Sequence, residues 1–219
     1  MSARSGGMAV NIIDHLHSNY LFAVIRGTSE TDAIEISKAA IMGGIKNIEI
    51  TFTTPNAQVA ISGLRSLIKD RDVFVGAGTV MTVENAKLAI NSGAEFIVSP
   101  HFSLKIAEFC QEHKVPYFPG CATITEICNA LDHGIEVVKL FPGGILGPDF
   151  IRDVRGPLPD VRLMPSGGVS LENMQLWYQS GAWGIAIGSS LTENIKLGGY
   201  ESVYRVAKTF VEKYRELLN

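Results

Sequence analysis

The chain has 219 residues, 46% of them hydrophobic and 19% charged, the balance of a well-cored folded domain and not of a disordered or fibrous chain. Its net charge of −3 comes with no basic run or stripe, which argues against nucleic acid as a partner, and no apolar run approaches the roughly 18 residues that a membrane span needs. Cys110, Cys121 and Cys128 are odd in number and lack paired metal-ligand spacing, so they read as reduced thiols of a cytoplasmic protein, mostly packing.

Residues 1–7 (MSARSGG) read as a flexible leader without an apolar signal core, with Met8 a plausible native start and 8–219 a single domain. An extra helix is expected over 8–19. "YLFAVIRG" (20–27) is a strand, followed by a helix over 29–42 that Ser29 can cap and whose Ala33, Ile36 and Ala40 share one face. "GGIKNIEITFTT" (43–54) gives a second strand and 56–70 a helix; "DVFVGAGT" (72–79) gives a third and 82–91 a helix. "AEFIVSP" (94–100), "VPYFPG" (115–120), "IEVVKLFP" (135–142), "VRLMPSGG" (161–168) and "WGIAIGSS" (183–190) continue the series, with helices between them. A closing helix over 200–218 carries Val203, Val206, Phe210 and Val211 as its buried stripe. Eight successive βα units close most economically into a single (β/α)8 TIM barrel; a doubly wound open sheet is the competitor, but usually has fewer strands at this length.

In such a barrel the chemistry sits where strands pass into their following loops. The two-residue period of "NIEITFTT" puts Glu49, Thr51 and Thr53 on the face opposite Ile48, Ile50 and Phe52. With the apolar set against the helices, Glu49 points into the barrel. The same alternation turns Val137, Lys139 and Phe141 inward, and Val138 and Leu140 outward. A glutamate and a lysine thus converge on one interior space. One reading is a stabilising ion pair, but buried pairs often fail to recover their desolvation energy. The other is a nucleophilic amine: an apolar setting disfavours the ammonium form, and a free amine attacks a carbonyl to form a Schiff base. Glu49 would then move protons.

The glycines of "PSGGVS" (Gly167, Gly168) and of "IGSS" (Gly188, with Ser189 and Ser190) lie on the last two strands, where barrels of this kind often hold phosphate. Arg26, ending strand one, either rests in water at the rim or forks onto a substrate carboxylate, and Thr79 can add a hydroxyl or N–H to the same anion. Pro100 ends strand four on the same interior space. His15, His17, His113 and His133 fall on helices or helix ends and read as exposed; His101 alone is near the presumed site. No His/Asp/Glu set has metal spacing, so no metal is expected.

"IEIT", "GAGT", "FIVSP", "PGCAT", "VKLFP" and "PSGG", in that order and spacing, resemble the 2-keto-3-deoxy-6-phosphogluconate (KDPG) / 4-hydroxy-2-oxoglutarate (KHG) aldolases, the short class I pyruvate aldolases, over about 19–191. The resemblance implies a homotrimeric (β/α)8 barrel that reversibly cleaves a keto-acid phosphate to pyruvate and glyceraldehyde 3-phosphate with no cofactor. It implies Lys139 of the K-x-F-P motif as the Schiff-base lysine, Glu49 of E-x-T as the proton shuttle, and Gly167, Gly168, Gly188, Ser189 and Ser190 as the phosphate region. KHG is a further substrate it allows. One position departs: some members carry arginine four residues after the glutamate, where this chain has Thr53, and Arg26 is the candidate replacement. Aldolases acting on the galactonate epimer share the strand-one arginine and "PGCAT", so the epimer stays open. A phosphosugar isomerase or epimerase, or a non-catalytic phosphosugar-binding barrel, are the more distant alternatives.

Overall fold

A proline turns eight sequence runs into nine strands. In a computed structural model, which describes residues 11–219, the fifth run is split at Pro119, which has no N–H to give to a ladder. The strands are β1 (Leu21–Ile25), β2 (Asn47–Thr51), β3 (Phe74–Gly78), β4 (Ile97–Val98), β5 (Tyr117–Phe118), β6 (Gly120–Cys121), β7 (Val138–Leu140), β8 (Leu163–Pro165) and β9 (Ile185–Ile187). The helices are α1 (Ile12–Asn19), α2 (Glu30–Met42), α3 (Ala57–Leu67), α4 (Val83–Asn91), α5 (Leu104–Glu112), α6 (Ile124–Asp132), α7 (Gly143–Arg155), α8 (Met174–Gln179), α9 (Ser189–Thr192) and α10 (Ile195–Leu217). The leader, Met8 and the start of the expected 8–19 helix lie outside the described residues.

All strand pairs are parallel, in a six-stranded sheet β5-β4-β3-β2-β1-β9 and a three-stranded sheet β6-β7-β8. One uninterrupted eight-stranded ladder, the sequence expectation, is therefore not what forms. Pro119 breaks one seam. At the other, β8 and β9 meet through a single bridge, Ser166 to Ala186, and a hydrogen bond from the Trp183 N–H to the Leu163 carbonyl (2.8 Å). The architecture is a curled, parallel α/β arrangement.

Strand alternation sorts the core into two layers. Leu21, Ala23, Ile25, Ile48, Ile50, Val138 and Leu140 pack outward among helix residues such as Ala33, Ile36, Ala40 and Leu64. Phe22, Val24, Phe96, Val98, Phe118, Val137 and Met164 pack inward on one another. Side-chain oxygens cap the helices that cover the outer layer: Ser29 accepts from the Asp32 N–H, Thr82 from Asn85 and Ser103 from Ile106, while Thr123 and Glu126 form a reciprocal capping box.

The amino end of the inner layer is closed by α1. Its Ile13 and Leu16 join the inner core, and the buried Asn47 amide donates to the Leu16 carbonyl (2.9 Å). His17 Nδ1 lies 2.6 Å from the Trp183 carbonyl oxygen, and its ring stacks on Trp183. Burial pushes the thiols of Cys110 and Cys121 up to about 12, as packing residues would be. Among the described residues no helix is long and apolar enough to cross a membrane.

Three sequence expectations move. The 56–70 helix stops at Leu67, because Ile68 turns extended. The closing helix starts at Ile195, five residues early, and is broken by Gly199 in the left-handed region (φ 57°). His15 and His133 are half-buried, their rings against Phe74 and Phe102, so exposure was the wrong reading for those two.

Candidate active site

With α1 packed on the amino end of the inner core, the carboxyl ends of the strands surround an open cavity. Its volume is about 470 Å³, within the usual range for small-molecule sites. One wall is Val24 and Arg26 from β1 and its loop, Glu49 from β2, and Thr79 and Pro100 from the loops after β3 and β4. The lining continues through Lys139, Phe141, Ser166, Gly167, Gly188, Ser189 and Thr192, and brings the loop after β9 beside that of its pairing partner β1.

Glu49 is wholly buried, and its neighbours in register are Val24 and Gly76. Gly78 makes room for its carboxylate: a Cβ there would collide with Glu49 Oε1. Neither carboxylate oxygen has a hydrogen-bond partner among the described residues. Lys139 is 5% exposed, and its Nζ stands 3.9 Å from Glu49 Oε1 and 5.1 Å from the centre of the Phe141 ring. That spacing is too long for a direct hydrogen bond and leaves a gap that a substrate oxygen can bridge. Burial pushes the Glu49 carboxyl above its ordinary value, and the nearby charges of Lys139 and Arg26 pull it partly back.

Arg26 has no hydrogen-bond or ion-pair partner among the described residues, so its guanidinium is free for an anion in the cavity. Thr53 is exposed, lies outside the cavity lining and shares a 2.8 Å hydroxyl contact with Thr51. Thr79 holds a left-handed backbone (φ 54°), a rare state for a β-branched residue. It persists because both flanks are pinned: the Phe52 N–H donates to the Gly78 carbonyl and the Val80 N–H to the Val98 carbonyl.

In the same cavity Gly167 (φ 83°), Gly188, Ser189 and Thr192 offer backbone and hydroxyl groups, with Gly188 beside Val24 of the neighbouring strand β1. Gly168 and Ser190 are not part of the lining. The Ser190 hydroxyl donates to the Val169 carbonyl (2.6 Å), and a Cβ on Gly168 would run into the Gly144 backbone. Both support the wall from behind. His101 is also off the cavity, with a buried and unpartnered Nδ1. Two lining residues, Val24 and Thr192, escaped the sequence reading of the site. Val24 shares the inward parity of Phe22, and Thr192 lies one helical turn from Ser189, whereas Ser166 was legible as a strand end. Among the described residues no group of three or more His, Cys, Asp or Glu side chains could share a metal ion.

The family model for KDPG and KHG aldolases matches residues 12–206. The chain is 40% identical over 166 residues to a 2-dehydro-3-deoxy-phosphogluconate aldolase of Treponema pallidum, covering 75% of this chain and 78% of that protein. It is 32% identical over 200 residues to a 2-dehydro-3-deoxy-6-phosphogalactonate aldolase of Escherichia coli, covering 90% and 95%. Its fold matches the crystal structure of KDPG aldolase from Legionella pneumophila, in which pyruvate was captured at low pH as a covalent carbinolamine intermediate (TM-score 0.78, 25% identity, 90% and 96% covered).

The buried carboxyl gives the site a signature in stability. Since the folded value of Glu49 lies above its ordinary 4.5, the native chain keeps a proton that the unfolded chain releases. Stability conferred at this position therefore falls as pH rises from 4.5 and stops falling above the folded value. In Glu49→Gln the fall should vanish, so that urea midpoints of variant and wild type diverge as pH rises, the variant being the more stable. Parallel curves between about pH 4 and pH 8 would show an unperturbed carboxyl.

Proposed function

Because the chain belongs to the KDPG and KHG aldolase family, and is thus an aldolase, we propose that it reversibly cleaves 2-keto-3-deoxy-6-phosphogluconate to pyruvate and glyceraldehyde 3-phosphate through a Schiff base on Lys139. The observation that carries the assignment is the buried amine of Lys139 facing the unpartnered Glu49 carboxyl across 3.9 Å at the floor of an open cavity. An isomerase or a binding protein has no use for that pairing as a covalent centre.

The free amine of Lys139 attacks the C2 ketone, and Glu49 relays protons while the carbinolamine loses water. A carboxyl lifted above its ordinary value by burial holds its proton more firmly than an exposed glutamate, which suits the relay. The protonated imine then draws in the electron pair of the breaking C3–C4 bond as the C4 hydroxyl gives up its proton, and the aldehyde departs. The remaining enamine is protonated at C3 and water hydrolyses the imine, returning pyruvate and the free lysine. Lysine itself supplies the electrophile, so the cycle needs no cofactor.

Arg26 and Thr79 hold the pyruvate carboxylate, with Pro100 and Phe141 as the apolar flanks of the reacting carbons. Gly167, Gly188, Ser189 and Thr192 receive the phosphate, with Gly168 and Ser190 behind them. Anchoring a remote phosphate contributes to turnover by positioning the reacting carbon. We read 8–219 as one domain whose two sheets act as a closed (β/α)8 barrel. The Ser166–Ala186 bridge and the chain running through Pro119 support that closure. A cytoplasmic homotrimer is the assembly carried by the motif resemblance, and KHG is a second substrate that the same centre accommodates.

The galactonate epimer is a second reading, favoured by the 95% coverage of the Escherichia coli phosphogalactonate aldolase. Ratios of kcat/KM for the two C4 epimers decide between them, and a preference above about tenfold is expected for the gluconate-derived acid.

Incubation with pyruvate and borohydride should leave a reduced adduct on Lys139, located by peptide mass spectrometry and absent from Lys139→Ala. Failure to trap pyruvate on folded, saturated protein would refute the Schiff-base assignment. Glu49→Gln should slow turnover by about 10²–10⁴-fold while keeping the fold. Arg26→Ala should raise the KM for the keto acid about tenfold or more, the loss of a charge-assisted pair; an unchanged KM would remove Arg26 from the carboxylate site.

A further inference from the structure

The loop that carries Arg26 is tied down from three separate elements. The Gly27 N–H donates to the buried Thr54 hydroxyl (3.0 Å), beyond the end of β2. Gly27 has no space for a side chain, since a Cβ would meet the Ala33 nitrogen and the Ser29 carbonyl. The Thr28 N–H and hydroxyl both donate to Asp32 Oδ2, at 2.7 and 2.9 Å. The remaining carboxylate oxygen, Oδ1, accepts from the Tyr200 hydroxyl at 2.9 Å, a contact between residues 168 apart in sequence. Burial would raise the Asp32 carboxyl, but these hydrogen bonds outweigh it and hold it below its ordinary value.

Tyr200 reaches Asp32 because α10 breaks immediately before it. Gly199 sits in the left-handed region with open space where a Cβ would be, and the helix changes direction there. The segment leading into that break leaves α9, whose Ser189 and Thr192 line the cavity. One carboxylate therefore joins the Arg26 loop to the chain departing from α9, whose hydroxyls line the same cavity.

We propose that Asp32 and Tyr200 are positioning residues that latch the Arg26 loop to the chain leaving α9, fixing the guanidinium against the substrate carboxylate. The inference rests on the assignment of Arg26 to that carboxylate. Neither residue touches substrate, and both act through Arg26.

A double-mutant cycle of Tyr200→Phe and Arg26→Ala tests the latch, with kcat and KM for 2-keto-3-deoxy-6-phosphogluconate and a thermal melt for each protein. The phenylalanine keeps the ring and removes only the hydroxyl. KM should rise about three- to fivefold in Tyr200→Phe with kcat changed by less than about twofold, and Tyr200→Phe should add nothing once Arg26 is alanine. Asp32→Ala, which removes the acceptors of both Thr28 donors and of the Tyr200 hydroxyl, should raise KM by at least as much. An unchanged KM in Tyr200→Phe, or an equal rise in the Arg26→Ala background, would overturn the latch and leave a structural contact. An unchanged KM in Arg26→Ala would remove both the Arg26 assignment and the latch. Failure of the wild type to release pyruvate from the keto-acid phosphate would instead bring down the proposed substrate.

Discussion

A carboxyl group without hydrogen-bond partners, wholly withdrawn from water, is the constraint around which the rest of the molecule is arranged. Glu49 sits where an apolar residue would pack without penalty, and burial makes it a weaker acid than an exposed glutamate despite two nearby cations. The surroundings accommodate it by subtraction. Gly78 has no side chain because the carboxylate fills that space, and Lys139 stops 3.9 Å short, so charge attraction is not converted into a closed ion pair. A fold selected for stability alone would fill this position with carbon.

The surplus that tolerates such a site comes from dividing the core. The outer layer, between strands and helices, is built of small and branched aliphatic residues that let helices approach closely. The inner layer below the site is aromatic: Phe22 meets the rings of Phe96, Phe118 and Trp183. Polar inward residues of β2, namely Glu49 and Thr51, lie toward the open end; Asn47, at the closed end, is saturated by Leu16 and Asn19. The same strand thus carries a satisfied polar group at one end and a reactive one at the other.

Much of this was legible before any coordinates, and the reason is geometric. A strand's two-residue period admits no drift, so Ile48 and Ile50 on one face oblige Glu49 to the other, and Val138 and Leu140 do the same for Lys139. The cap at Ser29 was equally readable, because a hydroxyl just before an amphipathic run commonly takes up a first-turn N–H. What escaped lacks such periodicity. Thr192 belongs to a four-residue helix, too short to show a face. The start of α10 was hidden because Gly198 and Gly199 read as a stop, whereas the chain merely bends there. Pro119 divides a strand that hydrophobicity alone presents as continuous, and the half-burial of His15 and His133 depends on rings contributed by Phe74 and Phe102 from other elements.

The cavity lies at the carboxyl ends of the strands, away from the end that α1 covers, with Lys139 buried within it. A substrate carbon bonded to Lys139 is held at that buried amine while the unbonded half of the molecule is not. With the proposed chemistry, the aldehyde half is cut free while the three-carbon half is still bonded to the lysine. The aldehyde leaves first and pyruvate last; in the condensing direction, pyruvate must enter before its partner. The order of events is thus set by which half of the substrate the buried lysine holds.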